Sequence, residues 1–282
     1  MSDATRPGPT TARLVHEAVA GTLRRRPDRV ITEEPLEIRV GWPGHRATRV
    51  AVAMRTPGAD FELAAGFLIS EGIVRLGDAP RTITYCLDTA LTPEQQYNVV
   101  TVGLRRTPMR TPAARFTALS SACGVCGTQS LDDVFAADAA PLAVSAVMDP
   151  GLLGTLPAAL RSAQPVFAKT GAVHAASVFS FAGSLCVVRE DVGRHNAVDK
   201  VLGARLLGAA SYGEQSVLCV SGRIGFDIVT KAVAGRIPVV IGVGGPSSLA
   251  VQLADRAGVT VCGFARGSRY VVYTHPGRIA HT

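Results

Sequence analysis

Alternation of apolar and polar side chains begins at Leu36-Glu37-Ile38-Arg39-Val40 and resumes over residues 49–54, with the turn-forming Gly41-Trp42-Pro43-Gly44 between them. A period of two marks a half-buried strand, so these stretches predict a hairpin. Asp60 then opens an apolar run that Gly72 closes, which predicts a helix over 60–72. Asp60 is expected to cap its amino end, Gly72 to stop it, and its largely apolar circumference to bury it against the sheet. Strands are expected over 81–86 and 97–104, completing an α+β module over 31–110. Residues 1–30 show no such period and end in Leu23-Arg24-Arg25-Arg26-Pro27, so they read as a mobile basic arm, with order beginning near Pro35.

Residues 105–115 carry two prolines and four arginines without helical or strand period, and 111–149 read as an exposed loop and connector. The rhythm then changes. Helices are predicted over 152–163, 194–206, 226–234 and 247–257, and strands over 174–181, 184–190, 216–220, 238–243, 259–262 and 270–274. Alternation of this kind predicts an α/β domain over 150–282, a sheet with helices on both faces and at least part of it parallel.

A chain of 282 residues with 47% hydrophobic and 18% charged residues can bury a sizeable core without a metal or disulfide. No run is long enough to span a membrane, and residues 1–11 lack the charged head and apolar stretch of a signal peptide, so a cytoplasmic protein with no membrane partner is expected. The net charge of +7 and pI near 9.4 point to an anionic ligand. Aromatic residues make up only 5% and do not interleave with a basic stripe, which argues against nucleic acid.

Two features carry candidate chemistry. Cys123-Gly124-Val125-Cys126 spaces two thiols so that each tunes the other or attacks what the other carries, and by itself it fits a redox dithiol, half of a zinc site or a sulfur relay. Cys86, Cys186, Cys219 and Cys262 lie singly in apolar segments and read as packing residues, so no second ligand pair supports a zinc site with four cysteine ligands. The second feature is a set of four strand ends, over 190–196, 221–225, 242–248 and 263–269. Where strands are parallel such ends gather along one crevice, whose glycine turns and helix starts present N–H groups to phosphate. Arg223, Arg266 and Arg269 add forked donors, and a nucleotide or pyrophosphate site is predicted there. Gly222, Gly225 and Gly244 serve either the ligand or simply tight turns. His195, between Arg194 and Asn196, either polarises a ligand oxygen or simply begins a helix, and His174 is expected to be structural.

Several longer blocks resemble the FdhD/NarQ family of formate dehydrogenase accessory sulfurtransferases: Met54-Arg55-Thr56-Pro57-Gly58, the CxxC block, Thr170-Gly171-Ala172-Val173-His174-Ala175-Ala176, Glu190-Asp191-Val192-Gly193-Arg194-His195-Asn196, Ser221-Gly222-Arg223, and Gly263-Phe264-Ala265-Arg266-Gly267 with Tyr273-Thr274-His275-Pro276 after it. Gly244-Gly245-Pro246-Ser247 departs from the Ala-Pro-Thr-Ser kind of sequence usual there. The resemblance implies a three-layer αβα carboxyl-terminal domain similar to cytidine deaminases. It also implies a homodimer that takes sulfur from an IscS-type cysteine desulfurase and passes it to the bis-molybdopterin guanine dinucleotide cofactor (Mo-bis-MGD) of molybdenum formate dehydrogenase. Cys123 would carry the persulfide with Cys126 as partner, or the reverse. Phe264, Ala265, Arg266, Gly267, Ser268 and Arg269 would contact the cofactor's guanine nucleotide, joined by Ser221, Gly222, Arg223, Arg194 and His195 from the neighbouring loops. The alternative is a cofactor-binding chaperone without covalent sulfur transfer. Zinc-dependent deamination is disfavoured, because Ala122 precedes Cys123 where proline is required and His174-Ala175-Ala176 lacks the glutamate; no tightly bound metal is expected.

Overall fold

The computed structural model describes residues 6–86, 96–110, 141–142 and 146–280. Its amino-terminal residues are paired where the pattern predicted an arm: β1 (Thr10–Val19) and β2 (Thr22–Ile31) form an antiparallel ribbon from Thr10 opposite Ile31 to Val19 opposite Thr22. Ala20 and Gly21 connect them with φ of 48° and 79°, the left-handed pair that a tight two-residue hairpin requires. Neither ribbon face is buried in a core, and charged residues occupy both, so no alternation reveals the strands.

β3 (Glu34–Trp42) and β4 (His45–Arg55) form the predicted hairpin, and β5 (Thr82–Tyr85) and β6 (Val99–Gly103) extend it to a sheet of order β4-β3-β6-β5, in which β3 and β6 are parallel. α1 (Asp60–Ser70) packs on it. The residue preceding this helix is Ala59 at φ 54°, and no side chain caps it. Asp60 lies just inside and is buried, receiving Arg55 Nε and Nη2 at 3.1 Å each and Tyr85 Oη at 3.0 Å. A buried guanidinium must be paired, and that demand outweighs the local cap.

The carboxyl-terminal part runs α2 (Pro150–Ser162), α3 (Pro165–Thr170), β7 (His174–Ser180), β8 (Leu185–Asp191), α4 (Arg194–Leu206), β9 (Ser216–Val220), α5 (Phe226–Ala234), β10 (Val239–Gly242), α6 (Ser248–Ala257), β11 (Thr260–Arg266) and β12 (Arg269–Val272). Its sheet has the order β12-β11-β10-β9-β7-β8. Alternate residues serve the two faces. Ala175, Phe179, Val217, Cys219, Val239, Ile241 and Cys262 meet Leu153, Leu156 and Leu160 of α2. Ala176, Val178, Leu218, Val220, Val240 and Val261 join the core that α4, α5 and α6 cover, so the domain is a three-layer α/β/α stack. α1 lies across α4 on the far side, and the small sheet's Leu36, Ile38 and Val100 belong to the same core, so the two parts share one hydrophobic interior.

Two of these helices carry a side-chain cap that the predicted bounds of 152–163 and 247–257 do not mark. Asp149 accepts Leu152 N at 2.8 Å ahead of Pro150, and Ser247 accepts Ala250 N at 3.2 Å. The short α3 carries no such pattern. Its first amides, Val166 N and Phe167 N, are received by the Glu190 carboxylate of β8 at 2.9 and 2.8 Å, a cap supplied from another element. Among the described residues no helix is long and apolar enough to cross a membrane.

Candidate functional site

β9, β10 and β11 are parallel, while β7 is antiparallel to both β8 and β9, so β8 runs in the same sense as the other three. The carboxyl ends of all four therefore emerge on one edge, as predicted for the loops at 190–196, 221–225, 242–248 and 263–269, and His174 at the start of β7 joins them. Backbone hydrogen bonds stitch these loops together. Ser221 N donates to Ala175 O and Ser221 Oγ accepts Ala175 N, at 3.0 and 2.9 Å. Gly244 N reaches Gly222 O, Ile224 N reaches Gly245 O, and Phe264 N reaches Gly244 O, each at 3.1 Å.

This stitching decides what the glycines do. A Cβ on Gly244 would stand 3.0 Å from Arg223 Cα, and one on Gly245 would stand 2.5 Å from the Phe264 ring. Gly244 therefore lets one loop backbone approach the other whether or not a ligand is bound, while a side chain at Gly245 would have to displace the Phe264 ring. A Cβ on Gly222 would only meet His174 Nδ1 at 3.4 Å, an ordinary contact.

Charge at this edge is mostly positive. Arg223, Arg266 and Arg269 are exposed, and none has an ion-pair partner among the described residues. Arg194 and His195 open α4, with His195 Nε2 against Asp227 Oδ2 of α5. Through Nε2, His195 ties the start of α4 to the start of α5. Burial opposes ionisation of Asp227, but the His195 contact and the nearby Arg194 charge prevail and hold its carboxyl below the usual range. His174 is displaced downward, by burial first and then by Arg194 and His195, so its ring is neutral at pH 7.

The FdhD/NarQ family model matches residues 31–280, which takes in every loop of this edge. The chain belongs to the FdhD/NarQ family. Proteins named sulfur carrier protein FdhD from Mycolicibacterium paratuberculosis and Streptomyces coelicolor are each 44% identical to it, over 96% of this chain and 98% and 96% of their own lengths. A crystal structure described as that of a formate dehydrogenase accessory protein from Desulfotalea psychrophila superposes with a TM-score of 0.71 at 26% identity, covering 96% of this chain and 99% of that one.

The two cysteines of the CxxC motif, Cys123 and Cys126, lie outside the described residues. The crevice residues Ser221, Gly222, Arg223, Arg194 and His195 do come together. The stretch 264–269, expected as a loop after a strand ending at 262, is instead the end of β11, a bulge, a tight turn at Gly267 and the start of β12. Ala265 is buried in the α2-side core, so its side chain is unavailable to a ligand. Phe264, at φ 54°, is half-exposed with its ring over Gly245. Gly267 and Ser268 back onto α2, where a Cβ on Gly154 would meet Gly267 O at 2.9 Å.

Three charged residues beneath the crevice, the first of them inside the 190–196 block, have partners that no local pattern predicts. Asp191 is fully buried and receives Lys200 Nζ at 2.7 Å, Gly193 N at 2.8 Å and Asn196 Nδ2 at 2.9 Å. Lys200 also donates to Thr56 O at 2.9 Å, so the Arg55-Thr56-Pro57 corner of the first module braces the loop that holds Arg194 and His195. Asp227 completes the set. A lysine on a helix normally signals solvent, and only the fold reveals that this one is interior.

Proposed function

We propose that the protein is a sulfurtransferase that takes persulfide sulfur from an L-cysteine desulfurase and passes it to Mo-bis-MGD, its substrate, for formate dehydrogenase. The observation that carries this reading is near full-length similarity to proteins named sulfur carriers, together with the structural likeness to a formate dehydrogenase accessory protein. In the first step the Cys123 thiolate attacks the outer sulfur of the desulfurase persulfide, leaving Cys123–S–SH and the desulfurase thiolate. Attack by the Cys126 thiolate then forms the Cys123–Cys126 disulfide and expels the sulfur as hydrosulfide beside its acceptor, after which a cellular dithiol reduces the pair. The crevice supplies the anchoring: the exposed guanidinium groups of Arg223, Arg266 and Arg269 and the loop amides suit the pyrophosphates of the guanine dinucleotide.

Mass spectrometry after incubation with L-cysteine and a cysteine desulfurase is expected to show one added sulfur atom, lost in Cys123→Ala. An adduct that persists in that variant and vanishes in Cys126→Ala reverses the two roles, and no adduct on the wild type refutes covalent transfer. Full support of formate dehydrogenase activity by a protein lacking both thiols would favour a chaperone. Arg223→Ala should weaken GDP binding by roughly 10-fold to 100-fold, the loss of one charge-assisted contact, without shifting the melting temperature, because the side chain is exposed and has no ion-pair partner among the described residues. Unchanged affinity would remove Arg223 from the site.

A further inference from the structure

Among the described residues, His174 on the crevice floor has no ion-pair partner. It begins β7 directly opposite Asp191 of β8, with Nδ1 beside Gly222 at the root of the β9–α5 loop. The charged groups facing it are Arg194 and His195 from α4, Asp191 from β8 and Arg223 from the β9–α5 loop. The carboxylate that faces it, Asp191, is already engaged, as is Asp227 beside His195. Asp191 receives Lys200, Gly193, Asn196 and, at 3.2 Å, Thr56 N, while Asp227 holds His195. The ring is half-buried among cations, and burial together with those cations keeps it neutral.

We propose that His174 is the proton acceptor of the anion site: as a phosphate group settles against Arg223 and the strand-end amides, the imidazole takes a proton from solvent and becomes an additional charge-assisted donor to it. The inference rests on the reading of the crevice as an anion site. Its physical basis is reciprocal. The cations that disfavour the imidazolium are offset by the incoming negative charge, which lies close to the ring, and the protonated ring in turn strengthens the hold on the anion. An opposite charge at such range raises a histidine by about one unit or more, and each unit corresponds to roughly tenfold in affinity.

The sign follows from the two states. Below the free-state value the ring is charged with or without ligand, and above the bound-state value it is neutral in both, so affinity is flat at each extreme. Between them binding takes up a proton, and affinity falls as pH rises. Selectivity also follows, since a neutral ligand of the same size gains nothing from the proton.

The test is titration calorimetry of the full chain with GDP from about pH 6 to about pH 9, in buffers of differing ionisation enthalpy, beside proton NMR of the histidine Cε1–H signals. The wild type should show net proton uptake and the His174 signal should titrate about one unit higher in saturating GDP. His174→Gln should lose that uptake and flatten the affinity profile by about tenfold, leaving only the nucleotide's own titration. GDP binding with no uptake, or uptake that survives in His174→Gln, overturns the role of His174 and leaves the crevice intact. Absence of GDP binding to the wild type overturns the crevice reading and this inference together. Should His174→Gln fail to fold, an unmoved His174 signal in the wild type on GDP saturation overturns the proposal by itself.

Discussion

Alanine at Gly66 or Gly203 should destabilise the protein by about 3 kcal/mol or more and lower its melting temperature by roughly 6 to 12 °C, the penalty of forcing volume into a closed interface. α1 and α4 cross backbone against backbone. A Cβ on Gly66 would stand 1.8 Å from the carbonyl oxygen of Asp199, and one on Gly203 would stand 1.8 Å from that of Glu62. No side-chain rotation relieves a clash with backbone, so the helices must separate. Separation opens the core that Leu63, Phe67, Val198 and Leu202 share, and it stretches the tie across the crossing from Ser70 Oγ to Asp199 Oδ1 at 2.6 Å and the tie from α1 to β8, Arg189 Nη2 to Glu62 Oε1 at 2.7 Å. Gly213→Ala is the control, because no atom lies within 4 Å of its added Cβ, and it should change stability by less than about 0.5 kcal/mol. Thermal denaturation of the three variants decides the matter. Equal melting temperatures would show that the crossing yields and that the two glycines are not what holds the small sheet to the α/β stack.

Asp191→Ala should cost about 3–5 kcal/mol, since it leaves the ammonium of Lys200, 1% exposed, inside the protein without its counter-ion. The same change strands three amide donors, those of Thr56, Gly193 and Asn196. Lys200→Met should cost less, because the Asp191 carboxylate keeps those donors when the lysine is gone. The double variant should be more stable than the sum of the single losses predicts, with a coupling of about 1–3 kcal/mol. Urea denaturation of the four proteins measures it. Strict additivity would mean that the pair contributes as two separate groups and does not brace the Thr56 corner against α4. GDP affinity should fall in Asp191→Ala as well, through the loop that presents Arg194 and His195. A structural defect that left that loop in place would change stability alone.

Sequence and structure agree most closely where burial is two-sided and breakers stand at both ends. β9, α4 and α5 have the boundaries that periodicity predicts, 216–220, 194–206 and 226–234. Glycines flank them, and their Val, Leu and Ile spacing admits one secondary structure. Disagreement follows from the absence of those conditions. The β1–β2 ribbon buries neither face, so its strands have no period to detect. α3 is six residues long and capped by a glutamate twenty-three residues away in the chain. Asp60 stands where a cap would, but a fully buried Arg55 claims it.

What the chain alone determined is local in kind: the order and type of most elements, the cysteine spacing, the family blocks, and the grouping of small and basic residues at four strand ends. Each is encoded within a few dozen consecutive residues, where period, capping and turn chemistry act. Which of those residues meet was decided only by the tertiary structure. Two successive antiparallel pairings turn β8 to the same sense as β9, β10 and β11, and that direction places His174 on the crevice floor, ties His195 to Asp227 and buries Lys200 on Asp191. Contacts such as Thr56 with Lys200 join residues more than a hundred positions apart. No local pattern carries such information, because the energy that selects it comes from burying charges and closing a core, which exist only once the chain has folded.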